Sequence, residues 1–110
     1  MKKLILITSL IALSVALNAQ KIYKTDYEYQ ADIKVYIVDY EYQADLCVYY
    51  VDYEYQADED GLWYMVDYEY QADKKVYFVD YEYQADLKIY IVDYEYQAGW
   101  KKKSKSYLLH

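Results

Sequence analysis

The chain has 110 residues, with 12 Lys+Arg against 19 Asp+Glu for a formal net charge of −7, and it holds 20 tyrosines, no proline, one cysteine and one histidine. That length bounds it to one small domain, and the acidic balance excludes nucleic acid as a natural partner. A single cysteine and a single histidine exclude a disulfide framework and a zinc site.

The N-terminus comes first in chain order. Lys2 and Lys3 precede an apolar stretch from Leu4 to Leu17, broken only by Thr8, Ser9 and Ser14, and Asn18-Ala19-Gln20 follows. Basic, apolar and small in that order is the layout of a secretory signal peptide, and the stretch is too short for a membrane span. The expectation is a signal peptide over residues 1–19 cut after Ala19, with Ser14-Val15-Ala16 offering an earlier site. The product is then secreted or periplasmic, with no stable membrane span once the signal is gone. Its removal takes away two lysines and no acid, so residues 20–110 carry −9. Such a charge confers solubility and keeps copies apart, which favours a monomer.

Residues 20–107 read as one repeat domain. The segment Asp-Tyr-Glu-Tyr-Gln-Ala begins at Asp26, Asp39, Asp52, Asp67, Asp80 and Asp93, a period of thirteen broken once by a two-residue excess in Glu59-Asp60-Gly61-Leu62. Three units precede this midpoint and three follow it, and a Gly-Trp region stands after each half (Gly61-Leu62-Trp63 and Gly99-Trp100). Between the conserved-looking segments lie β-branched and aromatic residues, as in Val35-Tyr36-Ile37-Val38, which is strand composition. A helix would scatter the apolar residues round its cylinder, so the fold class is all-β. Each unit is expected to be a short strand, an extended half-buried arm and a turn at an aspartate such as Asp45. Thirteen is odd, so an uninterrupted strand would invert its faces at each repeat; a corner in every unit avoids this. With so many tyrosines, most buried rings are expected to carry a hydroxyl partnered by the recurring Asp, Glu and Gln. The six aspartates that open the segments (Asp26, Asp39, Asp52, Asp67, Asp80, Asp93) are the expected structural polar ladder. The last residues, 108–110, are expected to be a disordered end.

The unit Lys-Val-Tyr-Ile-Val-Asp-Tyr-Glu-Tyr-Gln-Ala-Asp-Leu, the central Gly61-Leu62-Trp63 and the close Gln97-Ala98-Gly99-Trp100-Lys101 resemble a family of short proteins of unknown function associated with a deep seven-crossing torus knot, the septoil knot. The resemblance runs from about Lys21 to Tyr107. It implies a fold, short strands coiled twice round one core, and it implies no activity. Seven strand passes are then expected: Lys21–Thr25, Lys34–Val38, Cys47–Val51, Leu62–Val66, Lys75–Val79, Lys88–Val92 and the tail after Trp100. Three lysines replace the apolar pattern in that tail. Two circuits of seven passes put each strand beside those three and four units away, so Lys34–Val38 should neighbour Lys75–Val79 and Lys88–Val92, all running in one sense.

Catalysis finds little to work with. His110 is terminal, and Cys47 fills a slot that is lysine in other units, so a Cys–His nucleophile pair is poorly founded. Asp39 and Glu41 are paired carboxylates, but the pair recurs in every unit, whereas acid–base work needs one asymmetric pair. No enzyme activity and no cofactor are therefore expected. The expected role is that of a stable, exported structural or binding protein. One alternative is a carbohydrate- or protein-binding module using exposed Tyr and Trp, with Trp63 and Trp100 as candidate stacking residues unless they cover the ends of the core. The other is a calcium-binding acidic repeat.

Overall fold

The computed structural model describes residues 20–110, and the expected signal peptide lies outside them. Seven strands follow in order: β1 (Lys21–Lys24), β2 (Ile33–Ile37), β3 (Leu46–Tyr50), β4 (Leu62–Met65), β5 (Lys74–Phe78), β6 (Leu87–Ile91) and β7 (Gly99–Trp100). Between them the chain makes one 3-10 turn per unit, always Glu-Tyr-Gln: turn 1 (Glu28–Gln30), turn 2 (Glu41–Gln43), turn 3 (Glu54–Gln56), turn 4 (Glu69–Gln71), turn 5 (Glu82–Gln84) and turn 6 (Glu95–Gln97).

The strands close into a ring. Neighbours run β4-β1-β5-β2-β6-β3, and β3 also pairs β4. All these pairings are parallel. β2 lies between β5 and β6, three and four units on, and β1 lies between β4 and β5 in the same way, as a double winding requires. Except from β3 to β4, which pair directly, each connection steps over one strand: turn 2 packs on β6, turn 4 on β1, turn 5 on β2 and turn 6 on β3. Parallel neighbours ordinarily need a long crossover. Here the neighbour comes from the other circuit, so a bend and one 3-10 turn suffice.

The seam differs from the expectation of a seventh parallel pass. β7 has two residues and runs antiparallel on β3, with Cys47 opposite Gly99 and Leu46 opposite Trp100. Beyond it on the same edge of β3, Tyr49 and Tyr50 face Leu62 and Trp63 of β4. The midpoint excess lets β4 start late enough to leave that half-edge for β7. Gly61 makes the close approach, at φ 94, where an added Cβ would stand 2.7 Å from the Cys47 carbonyl oxygen.

The five-residue strands start one residue ahead of the expected passes, for example at Ile33 and Leu46. Their inward residues make the core: Ile22, Ile33, Val35, Leu46, Val48, Trp63, Val76, Leu87 and Ile89, closed by Leu109. A small barrel interior is filled by side chains in this way. The expected tyrosine-rich core is thus corrected. The strand ends before Val38 and the backbone bends, so the alternation that would carry Tyr40 and Tyr42 inward does not continue; they are 61% and 83% exposed. The expected disordered end is corrected too. Lys103–Leu109 forms a 3-10 segment, Leu109 is buried in the core, and the His110 ring meets Asp60 at 2.9 Å. Apolar Leu108 and Leu109 after the lysines are what anchor it.

Candidate functional site: the tyrosine girdle

Each turn closes with the same pair of backbone hydrogen bonds. In turn 2, the Gln43 N–H donates to the Tyr40 carbonyl and the Ala44 N–H to the Glu41 carbonyl, each at 3.1 Å. This closure sets the two tyrosines of the segment on the same outer side. Six Tyr–Tyr pairs result: 27/29, 40/42, 53/55, 68/70, 81/83 and 94/96, with ring centroids 5.8–5.9 Å apart. Five pairs are stacked and the first is tilted. The twelve rings are between 58% and 84% exposed.

The glutamates hold lysines beside the rings. Glu28, Glu69 and Glu82 pair with Lys34, Lys75 and Lys88 at 3.8, 3.1 and 3.4 Å. The Glu69 hydrogen bond and charge push the Lys75 ammonium above its ordinary pKa. Where the strand lysine is missing, another replaces it: Glu41, facing Cys47, takes Lys101, and Glu54 takes Lys21, both at 3.2 Å. Exposed pairs of this kind contribute little to stability, so they serve mainly to fix position.

The aspartates divide into two sets, and the expectation picked the wrong one. Asp26, Asp39, Asp52, Asp67, Asp80 and Asp93 are not a hydrogen-bonded ladder: among the described residues their carboxylates have no hydrogen-bond or ion-pair partner, because the bend turns them to solvent. In four of the five Gln-Ala-Asp segments the last aspartate does the tying, Asp58 being the exception among the described residues. Asp32, Asp45, Asp73 and Asp86 accept from the backbone N–H of Lys75, Lys88, Lys21 and Lys34 at 2.8–2.9 Å. Their own N–H groups donate to the carbonyls of those same lysines at 2.8 Å. Each clasp locks one circuit to the other.

Both tryptophans belong to the seam and not to a ligand-stacking surface. Trp63 is 0% exposed and its Nε1 has no partner. Trp100 is half-buried and donates from Nε1 to Asp60 Oδ2 at 2.7 Å. Asp60 also accepts from the Gln20 side-chain amide, while Gln20 Oε1 accepts from the Gly61 N–H at 3.0 Å. Sequence reasoning missed these contacts because Gln20, Asp60 and Trp100 lie forty positions apart in turn.

Cys47 and His110 are held apart by different partners. The buried thiol donates to Glu41 at 3.8 Å. Burial first, then the Glu41 charge, pushes its pKa up, with Lys101 acting the other way. It is thus neither an activated nucleophile nor placed for an intermolecular disulfide. Among the described residues no group of three or more His, Cys, Asp or Glu is arranged to hold a metal ion, which leaves the calcium reading without a site there. No helix among them is long and apolar enough to cross a membrane.

Clefts lie between neighbouring turns. The pair Tyr68/Tyr70 separates two of them: one of about 430 Å³ that also contains Lys21, Glu54, Asp67 and Gln71, and one of about 580 Å³ that contains Asp32, Glu69, Asp73 and Lys75.

A family model described as the 7(1) septoil knot domain matches residues 19–101. No curated protein and no solved structure matches the chain.

Proposed function

The chain belongs to the septoil knot domain family, and we propose that it is an exported, monomeric, non-enzymatic protein whose binding elements are the six tyrosine pairs. One observation carries this reading: all twelve rings are 58–84% exposed and none enters the aliphatic core. A stable fold has no structural use for so much aromatic surface. Tyrosine combines a large rigid contact area with a polar tip and loses little entropy on binding, which is why it recurs in binding surfaces. Repetition round the ring multiplies any single weak contact. The signal-like residues 1–19 support the exported part of the reading.

The test compares the chain with a variant in which Tyr29, Tyr42, Tyr55, Tyr70, Tyr83 and Tyr96 are all serine. Retention of both is measured on immobilised neutral polysaccharides, uronate polymers, and basic and acidic proteins. The reading predicts tyrosine-dependent retention on at least one surface. Equal retention of both proteins on every surface would overturn it.

A further inference from the structure

The geometry points to the 430 Å³ cleft in front of Tyr68 and Tyr70 as a site for neutral pyranose units of a glycan chain, an inference that rests on the binding reading above and names its ligand class. The argument begins with shape. The two rings are stacked 19° from parallel at 5.8 Å and are 60% and 84% exposed. Stacking leaves each ring an outer face, electron-rich at its centre, which suits the C–H face of a sugar ring.

The polar groups then select the charge of the ligand. Lys21 and Glu54 stand in the same cleft, paired at 3.2 Å. An ion pair of this kind keeps spare capacity: the ammonium has three donors and the carboxylate two acceptor oxygens. Neighbouring hydroxyls on a sugar each donate and accept, so one hydroxyl can meet the lysine while the next meets the glutamate. Asp67, also in the cleft, has no partner among the described residues and adds acceptors, and Gln71 adds one donor and one acceptor group. A uronate or sulfated sugar would meet Glu54, Asp67 and the −9 charge of residues 20–110. A cationic ligand is attracted by Glu54 and Asp67 but would meet Lys21 directly. Only a neutral polyhydroxyl ligand uses both signs without repulsion.

Titration calorimetry on the full chain provides the test, with hexasaccharides of β-1,4- and β-1,3-linked glucose and of β-1,4-linked mannose as probes, and oligogalacturonate and oligolysine for comparison. At least one neutral probe should bind. Tyr70→Ser should weaken it about tenfold, the loss of one stacking contact. Lys21→Met should weaken it also, by removing the donor side. Tyr107→Ser, at an exposed tyrosine outside the pairs, should leave the affinity unchanged. Lys21→Met acts with opposite signs on the rival ligand, since it should tighten oligolysine. No binding of any neutral probe, or binding insensitive to Tyr70→Ser, overturns the inference. If oligogalacturonate or oligolysine binds instead and depends on the tyrosines, only the ligand class falls. The binding reading itself falls only if the six-serine variant behaves like the parent on every surface.

Discussion

The Trp100 indole N–H donates to the Asp60 carboxylate at 2.7 Å across forty positions of sequence. The same carboxylate meets His110 at 2.9 Å and the Gln20 amide. Both ends of the described chain are thus tied to the midpoint excess. Asp60→Ala strands the Trp100 and Gln20 donors, and the expected cost is about 2–3 kcal/mol. Asp60→Asn keeps an acceptor and should cost clearly less. Urea midpoints read both; equal midpoints for the parent and the alanine variant would refute the tie.

Gly61 and Gly99 look alike in sequence but should respond differently to alanine. Both have positive φ, at 94° and 139°. A Cβ on Gly61 would lie 2.7 Å from the Cys47 carbonyl oxygen and 3.0 Å from the Gly99 nitrogen, whereas a Cβ on Gly99 has nothing within 4 Å. Gly99→Ala should cost only the backbone strain, about 1–3 kcal/mol. Gly61→Ala adds a backbone clash and should be the more damaging in thermal melts. The reverse order would show that the seam is not closed through Gly61.

The two sets of aspartates separate by mutation. Asp45 is 4% exposed, accepts from the Lys88 N–H at 2.9 Å and pairs with Lys105 at 3.0 Å. Asp45→Ala should destabilise by about 1.5–3 kcal/mol. Asp39→Asn, at an exposed carboxylate without a partner among the described residues, should stay within about 0.5 kcal/mol of the parent. Chemical denaturation of the two variants side by side decides it, and a larger loss at position 39 would reverse the assignment of the clasps.

Alkaline pH should weaken the fold. Burial, with Glu41 adding to it, raises the Cys47 thiol above its ordinary value, and burial raises the Tyr50 phenol. The folded state therefore keeps both protons to higher pH than the unfolded chain does. Their contribution is complete below the unfolded thiol value of about 8.5 and is lost as pH rises from there through the folded values. Urea midpoints at pH 7, 9 and 10 should fall above about pH 9, and Cys47→Ala should remove the earliest part of that fall. A midpoint that rises over this range would contradict the burial of the thiol.

Legibility followed the repeat. The period of thirteen, the strand composition and the resemblance led to the neighbours three and four units away, which β1 and β2 have. What misled was alternation carried past its end: the strand stops at Ile37, and a pattern of period two assigned Tyr40 and Tyr42 to the interior although the backbone bends before them. The turns themselves were attributed to aspartate, while the chain turns on Glu-Tyr-Gln. The clasps and the Asp60 contacts join residues forty or more positions apart, and no local pattern distinguishes a tying carboxylate from a solvated one.

Folding should be slow. Partners three and four units apart mean high contact order, and connections that step over strands of the other circuit must be threaded before those pairings close. Refolding from denaturant should lag far behind unfolding midpoints and show hysteresis, with stability that is kinetic in character. Single-exponential refolding within milliseconds, followed by near-ultraviolet circular dichroism, would contradict a threaded topology.

Ring closure has a consequence for a chain made of near-identical β-forming units. Any unit's strand could template its counterpart in a second copy if its hydrogen-bonding edge were free. In the ring each of β1, β2, β5 and β6 is flanked by partners on both sides, and the edge of β3 is shared end to end by β7 and β4. The two-residue β7, the least strand-like of the seven, thus covers the half-edge that β4 leaves bare. Losing it would present self-complementary backbone to other molecules, so the Gly99-Trp100 pair guards the repeat against sticking to itself.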